Sequence, residues 1–545
     1  MKSVKSARQQ KKLVADWQAL MRTFILPEQD ASRDTLVKYM EQILFGLHGF
    51  LKQHVGITEE VTLKKLAALY TDTLITQDPE KKLAEVIADL IQDIAPHAVN
   101  VASPYFVGHM TSAIPFFMVH LKSIVAALNQ NVVKLETSKV VSIVEKQVLA
   151  KIHRLIYGLP QHFYDTHVQS VDTTLGGFVE DGTLANITAL WVARNRLLAP
   201  KADFAGVGAE GVSAAYKAHG IERCVVLVSR LGHYSLKKAG GVLGIGSDNI
   251  IAIDVDRNNR IDLKHLRATI AHLKQHTAHR ILAVVGIAGT TETGTVDPLR
   301  DLAHICEDQQ AHFHVDAAWG GPTLLSKRYR HLLDGIARAD SVTIDGHKQF
   351  YMPMTCGMVY FKNPCAMDTV RYHANYVNRP GTPDLGIKSI SGSREASSLI
   401  LDSALKIMGS RGYALLIEHG IETAHAFAQE ILKRPAFQLI SPPQLNILTY
   451  RYCPPAWQKA LQTGNAAQQN ELNRQINAGN ILIQRRQREA GNSFVSRTTL
   501  QVPHLASTGM VVLRCVIMNP FTTIEILKAI LAEQTAIGRD VFTAE

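Results

Sequence analysis

The fold is decided by a stretch that begins FHVDAAWGGP at residues 313–322 and ends SVTIDGHK at residues 341–348. Each half is a short apolar run bounded by turn formers, which is typical of a buried strand in a mostly parallel sheet. The first run carries Asp316 into a glycine-rich turn, and the second delivers Asp345 and Lys348. Reactive side chains at the carboxyl ends of such strands meet in the crevice where α/β folds bind ligands. We therefore expect a doubly wound α/β domain with its functional site at this edge of the sheet.

An acid on one strand and an amine on another suit one cofactor particularly well. Pyridoxal phosphate needs a lysine for covalent attachment and a carboxylate against its pyridine nitrogen. Lys348 and Asp316 are the candidates for these two roles. Taken singly, Lys348 could equally be a surface residue and Asp316 a strand-end cap, because short motifs are only hypotheses.

The motifs around this pair resemble those of the group II pyridoxal-phosphate amino acid decarboxylases, which include the glutamate and aromatic amino acid decarboxylases. HVDAA is one of these motifs, and Asp-Gly-His-Lys stands where the family usually has Asn-Pro-His-Lys. The resemblance covers roughly residues 100–520. It implies a fold type I enzyme of the aspartate aminotransferase kind. The expected parts are a helical N-terminal segment for dimerisation (1–100), a large cofactor-binding domain (101–395) and a small α+β domain (396–545).

Composition limits the classes of protein to which the chain can belong. Its 545 residues are too many for one compact core, so two or three domains are expected. The net charge of +10 is spread out, and the basic cluster within residues 1–12 lacks interleaved aromatics, which argues against a nucleic-acid partner. No run of eighteen apolar residues occurs, so no membrane span is expected. The start also lacks the apolar stretch of a signal peptide.

Cysteine and histidine usage gives two further expectations. Six cysteines are scattered along the chain with no C-x-x-C pair, which favours a reduced, cytoplasmic protein. His312 and His314 form an H-x-H on one strand face, but no cluster supplies a third ligand. No metal site is therefore expected.

Two segments suggest how the cofactor is held. GGFVEDGTLANITALWVARNR, residues 176–196, is typical of a glycine turn that opens a helix, and helix N-termini bind phosphate. Thr183 would add a hydroxyl and Leu184 a backbone amide, although the same pattern also suits an ordinary helix cap. His233 follows a buried strand at the start of a helix, and the resemblance implies that its imidazole stacks on the pyridine ring.

The resemblance also implies roles for residues around the central pair. Thr291 would lie beneath the cofactor, and Ala318 is small enough to let the cofactor face approach. His347 would contact the phosphate or position the lysine. Asp345 departs from the family, since a carboxylate beside a phosphate is repulsive. Either it turns away to cap backbone N–H groups or a neighbouring base compensates for its charge.

The resemblance implies three residues that handle the substrate. His109, in the aromatic-rich segment SPYFVGHMTSAIP, would donate to the distal carboxylate, and Arg514 would bind a carboxylate from a strand. Tyr376, with Tyr372 as the reserve, lies in a polar loop that would close over the site and return a proton. A packed loop histidine, a structural ion pair and a packed loop tyrosine are the corresponding structural alternatives.

The expected activity is the α-decarboxylation of an acidic L-amino acid by a homodimer with its active site at the subunit interface. Aspartate, giving β-alanine for pantothenate synthesis, is the expected substrate, and glutamate is the first alternative. Two further alternatives are an aminotransferase on the same fold and a binding protein that has kept the fold. The presence of Lys348, Asp316 and His233 together argues against the latter.

Overall fold

The structure is a computed structural model that describes residues 17, 30–52, 63–374, 381–502 and 505–543. The chain divides into two compact units. The first combines Met1–Phe106 with Arg485–Phe494, and the second combines Val107–Gln484 with Val495–Glu545. The predicted domain limits at residues 100 and 395 follow a different criterion and stay predictions.

The described residues of the first unit form helices joined by non-helical segments. Residues 63–97 form several short helices, and several large apolar side chains of the unit are exposed, including Phe45 and Leu63. Its helices are α1 (Asp30–Leu51), α2 (Leu63–Leu69) and α3 (Leu83–Asp89), the last continued by a π-helical turn (Leu90–Ile94) and a 3-10 turn (Ala95–His97).

The second unit is built on a seven-stranded, mostly parallel sheet. The strand order is β1-β7-β6-β5-β4-β2-β3, and only the pairings of β7 with β1 and β6 are antiparallel. This confirms the predicted α/β class. The strands are β1 (Gly176–Val179), β2 (Arg223–Ser229), β3 (Ile250–Ile253), β4 (His279–Ile287), β5 (His312–Asp316), β6 (Ser341–Asp345) and β7 (Gly357–Phe361).

Both faces of this sheet are buried, which explains the continuous apolar runs of its strands. In β2, Val225 and Leu227 pack into one hydrophobic cluster, while Val226 and Val228 pack into another on the opposite face. Each face therefore needs its own layer of helices. The helices of this region are α4 (Phe116–Leu128), α5 (Leu135–Ser138), α6 (Val140–Tyr157), α7 (Gln161–His167), α8 (Gly182–Leu197), α9 (Val207–His219), α10 (Ser235–Val242), α11 (Leu263–Leu273) and α12 (Leu299–Gln309).

A second, four-stranded antiparallel sheet follows, as expected for a small α+β region. Its strand order is β10-β11-β9-β8. The remaining elements are α13 (Ser397–Leu432), β8 (Phe437–Ser441), β9 (Ile447–Tyr452), α14 (Pro455–Thr463), α15 (Ala466–Ala490), β10 (Ser496–Leu500), β11 (Met510–Val516) and α16 (Ile524–Thr543). Among the described residues, no helix combines the length and apolarity needed to cross a membrane.

The two sheets are joined at one buried tryptophan. Trp319, three residues beyond the end of β5, is almost fully buried, and its indole N–H donates to Asn446 Oδ1 at 2.9 Å. The amide group of Asn446 donates in turn to the Ile517 carbonyl oxygen, just after β11, at 2.9 Å. The turn that carries the end of β5 is thereby fixed to the small sheet.

Candidate active site

A cleft with a volume of about 210 Å³ lies at the carboxyl ends of four neighbouring parallel strands, β2, β4, β5 and β6. This is the edge at which open α/β sheets bind ligands. Of the residues predicted to hold a cofactor, those that line the cleft are Thr183, His233, Thr291, Asp316, Ala318, Asp345, His347 and Lys348. The sequence pattern therefore identified side chains that the fold brings together.

Lys348 and Asp345 form an ion pair within this cleft. The lysine Nζ lies 2.9 Å from Asp345 Oδ2, and the aspartate side chain is only 3% exposed. His347 Nε2 lies 3.7 Å from the same oxygen, while its Nδ1 lies 2.8 Å from the Cys356 carbonyl oxygen. Of the two explanations considered for Asp345, the neighbouring base is therefore the one present. Asp345 Oδ1 is buried and has no hydrogen-bond partner.

The N-terminus of α8 faces the same aspartate. Asp181 caps this helix by accepting from the Leu184 amide at 3.0 Å, so the backbone donor predicted at Leu184 is already used. Gly182 is in such close contact that a Cβ there would lie 2.9 Å from Asp345 Oδ2. Because a helix N-terminus carries partial positive charge, it stabilises both carboxylates. The amides of Gly182 and Thr183 are left for a ligand, since the first amides of a helix have no intrahelical acceptor.

Asp316 is held from two sides. Its Oδ1 accepts from the Ala318 amide at 3.1 Å, and its Oδ2 accepts from Asn186 Nδ2 at 2.8 Å. Asn186 is a buried residue of α8 that sequence reasoning missed. The signal was available, because a buried amide in a helix that packs on two sides requires polar partners.

His233 is oriented by the residues that follow it. Its Nδ1 lies 2.8 Å from Ser235 Oγ and receives the Ser235 backbone N–H at 3.3 Å. With Nδ1 as the acceptor, the proton of the neutral ring is on Nε2. Burial lowers the pKa of His233, while the charge of Asp316 raises it and that of Lys348 lowers it. The net lowering favours a neutral imidazole beside the cleft.

Arg514 lies behind the wall of the cleft. Its Nε donates to the Thr291 carbonyl oxygen at 2.5 Å and its Nη1 to that of Gly108 at 2.9 Å, while Nη2 is buried without a partner. Burial lowers the pKa of Arg514 to about 10, opposed by the charge of Glu292, so the guanidinium is ionised near neutral pH. Glu292 is a second group that sequence reasoning missed, and burial raises its pKa.

Three predicted substrate groups have different placements. His109 has much of its surface exposed, and the partial burial of its ring together with the charge of Arg514 lowers its pKa. Met110 rather than His109 lines the cleft. Tyr376 lies outside the described residues. Tyr372, the reserve, is 58% exposed and stacks on Trp191, so it does not line the cleft.

The residues present fit pyridoxal phosphate. Asp316 keeps acceptor capacity for a pyridine N–H, since each of its oxygens takes only one protein hydrogen bond. Lys348 supplies the amine, Ala318 leaves room for a flat ring, and the start of α8 supplies donors for a phosphate. The carboxylates beside the start of α8, Asp181 and Asp345, are opposed to an anion. Among the described residues, no group of three or more His, Cys, Asp or Glu is arranged to bind a metal ion.

This fold, with this lysine and aspartate at the strand ends, defines a fold type I pyridoxal phosphate enzyme. The model of the pyridoxal-dependent decarboxylase conserved domain matches residues 66–453, and the chain belongs to that family. It is therefore a pyridoxal phosphate-dependent decarboxylase, a carboxy-lyase.

Comparisons with individual proteins agree with this assignment. The chain is 45% identical over 527 residues to an aspartate 1-decarboxylase from Aliivibrio fischeri, covering 96% of this chain and 95% of that protein. It is 28% identical over 472 residues to the acidic amino acid decarboxylase GADL1 of Xenopus tropicalis, covering 85% and 84%. The structure of Catharanthus roseus tryptophan decarboxylase shares the fold, with a TM-score of 0.77 at 18% identity over 94% of this chain and 99% of that one.

Proposed function

We propose that this decarboxylase converts L-aspartate to β-alanine and carbon dioxide. The observation that carries the substrate assignment is the 45% identity, over 96% of the chain, to a protein named aspartate 1-decarboxylase. The similarity to a protein named acidic amino acid decarboxylase supports the same class of substrate. L-Glutamate, which would give 4-aminobutyrate, is the second candidate.

The cleft supports a specific role for each of its groups. Lys348 is the proposed attachment residue, and Asp345 is the carboxylate that its Nζ contacts. Asp316 is proposed to face the pyridine nitrogen as a carboxylate, and His233 to lie against the ring with its Nε2–H available as a donor. The phosphate is proposed to be bound by Thr183, His347 and the backbone amides at the N-terminus of α8.

When bound, pyridoxal phosphate takes up the electron pair that remains after carbon dioxide leaves. The protein then has to return one proton to the α-carbon of the substrate. Tyr376 is proposed to deliver it from its phenolic oxygen, on the basis of the family resemblance. A proton returned to the cofactor at this stage would release an aldehyde in place of the amine product. An aminotransferase instead removes the α-proton of the substrate and releases a keto acid that keeps the α-carboxylate.

The basic groups beside the cleft support an anionic substrate. The Nη2 of Arg514 is buried without a partner, and a guanidinium binds a carboxylate through charge-assisted hydrogen bonds. Arg514 is therefore proposed to bind a carboxylate of the substrate, and His109 is proposed to contact the distal carboxylate. One methylene separates aspartate from glutamate, a difference worth about 1–3 kcal/mol in a binding site.

Three statements about the cellular context belong to the same proposal. A homodimer with an active site at its interface is supported by the exposed apolar side chains of the first unit, such as Phe45, Leu63 and Ile75. Six free cysteines support a reduced, cytoplasmic environment. The β-alanine formed would feed pantothenate synthesis.

The proposal is tested with the purified full chain loaded with pyridoxal phosphate. Aspartate and glutamate, each labelled in the α-carboxylate, are supplied separately, and carbon dioxide, β-alanine, 4-aminobutyrate and keto acids are quantified. We expect β-alanine and carbon dioxide from aspartate in equal amounts, with little turnover of glutamate. Lys348→Ala, loaded in the same way, is the matched control for uncatalysed release.

Two results would change the assignment. Preferential formation of 4-aminobutyrate would replace aspartate by glutamate. Keto acid without carbon dioxide would replace decarboxylation by transamination.

A further inference from the structure

The side-chain amide of Asn186 has only one possible orientation. Asp316 Oδ2 accepts a hydrogen bond at 2.8 Å, so the group facing it must be the NH2, which also donates to Ser235 Oγ at 3.0 Å. The amide oxygen, Oδ1, accepts from Thr343 Oγ1 at 2.8 Å and lies 3.0 Å from His314 Nε2. All four hydrogen-bonding positions of the amide group are therefore occupied.

The side chains behind Asn186 continue in one direction. Burial lowers the pKa of His314 to about 4, so the ring is neutral, and its Nε2 must carry the proton because Asn186 Oδ1 only accepts. His314 Nδ1 then accepts from Ser341 Oγ at 2.9 Å. Ser341 Oγ in turn accepts from His312 Nε2 at 2.7 Å. The remaining nitrogen, His312 Nδ1, is buried and has no hydrogen-bond partner.

Every donor in this series points towards Asp316. The order runs from the N–H of His312 to Ser341, from Ser341 to His314, from His314 to Asn186, and from Asn186 to the carboxylate. Hydrogen bonds aligned in this way polarise one another, and the last donor becomes a stronger partner for a negative acceptor. A carboxylate at the end of such a series is held in one orientation by a strengthened hydrogen bond.

We propose that Asn186 is a positioning residue of this decarboxylase, which orients Asp316 towards the pyridine nitrogen of the cofactor. The inference rests on the proposed role of Asp316. The competing explanation is that Asn186 only satisfies buried polar groups within the core. Asn195 provides the comparison, because it is another buried asparagine of α8 that donates to the Thr369 carbonyl oxygen at 2.7 Å and does not touch the cleft.

The test measures equilibrium binding to the full-length apoprotein of two probes, pyridoxal phosphate and its analogue with CH in place of the ring nitrogen. The quantity compared is the ratio of the two dissociation constants, analogue over cofactor. We expect Asn186→Ala to lower this ratio by about tenfold, as for a lost hydrogen bond to a charged group. Asn195→Ala should leave the ratio as in the wild type. Asp316→Asn should lower it at least as far as Asn186→Ala.

A purely structural role would weaken binding of both probes equally and leave the ratio unchanged, which would overturn the inference. A wild-type ratio near one would instead overturn the role of Asp316, and the inference with it. If Asn186→Ala does not fold, Thr343→Val serves in its place. It removes one donor to Asn186 Oδ1 at constant volume and should lower the ratio in the same direction but by less.

Discussion

Asp345 Oδ2 forms an ion pair with Lys348 Nζ at a distance of 2.9 Å. The amine proposed to attach the cofactor is therefore held by Asp345, the residue that departs from the family pattern. The same carboxylate lies against Gly182 at the start of α8, where a phosphate is proposed to bind. The negative charge thus holds the lysine in place and opposes the phosphate at the same position.

Asp345→Asn should therefore strengthen binding of pyridoxal phosphate. A like charge near a phosphate costs several kcal/mol at a protein-like dielectric, so we expect a gain in affinity of at least about tenfold. Equilibrium dialysis of the apoprotein measures it. Asp262→Asn, which makes the same change at the N-cap of α11, is the control and should have no effect. Unchanged or weaker binding would mean that the phosphate does not approach Asp345.

His153 should make the protein less stable as the pH falls. Burial lowers the pKa of His153 to about 4, and its nitrogens contact the Tyr164 hydroxyl and the Phe361 carbonyl oxygen. Below pH 6.5 the unfolded chain therefore binds a proton that the folded protein excludes. Between pH 7.5 and 5.5 this contributes a loss of about 1.4 kcal/mol in the free energy of unfolding.

The measurement is urea unfolding at the two pH values for the wild type and His153→Gln. The variant should be less stable at pH 7.5 but should lose less stability on acidification, by that same amount. Parallel pH dependences in the two proteins would show that His153 does not titrate in this range.

Arg514→Lys should impair substrate binding more than cofactor binding. Lysine lacks the planar fork that grips a carboxylate, so the KM for aspartate should rise at least about tenfold, with affinity for pyridoxal phosphate little changed. Arg451→Lys is the matched control, since Arg451 is a buried arginine of β9 that bonds Gln438 and Asn473 instead. A KM equal to that of the wild type would remove Arg514 from the substrate site.

Tyr376→Phe should slow product formation without weakening cofactor binding. Loss of a proton donor at the reacting carbon typically costs about 10²–10⁴-fold in rate. Tyr372→Phe should retain full activity, because Tyr372 stacks on Trp191 away from the cleft. β-Alanine and the aldehyde that would form if the proton went to the cofactor are measured together. If Tyr372→Phe were the slow variant, the two tyrosines would exchange roles.

Much of the fold could be predicted from the sequence, because strands that are buried on both faces appear in it as unbroken runs of apolar residues. The residues at the ends of those runs, such as Asp316 and Lys348, could be assigned to one cleft since parallel strands end at the same edge. The position of Leu184 could also be predicted, but its amide proved to be taken by Asp181. Capping depends on the local rotamer of the N-cap side chain, which the sequence does not specify.

Contacts between distant parts of the chain were not accessible. Asn186 forms hydrogen bonds with His314 and Thr343, which lie more than a hundred residues away in the sequence, and no local sequence pattern predicts such contacts. The same holds for Arg514 and the Thr291 carbonyl oxygen. Short-range periodicity identifies which residues are buried, whereas the partner of a buried polar group depends on how the elements pack.

The hydrogen bond between Trp319 and Asn446 has a consequence for altering this enzyme. Arg514 belongs to the small sheet, and so does the chain around Ile517, to which Asn446 is bonded. Mutations that reshape this sheet to admit a longer substrate would also pull on the turn that follows Asp316. With Arg514 and Asp316 in their proposed roles, we expect substrate choice and cofactor retention to change together, so a library aimed at new substrates should be screened for loss of pyridoxal phosphate as well as for turnover.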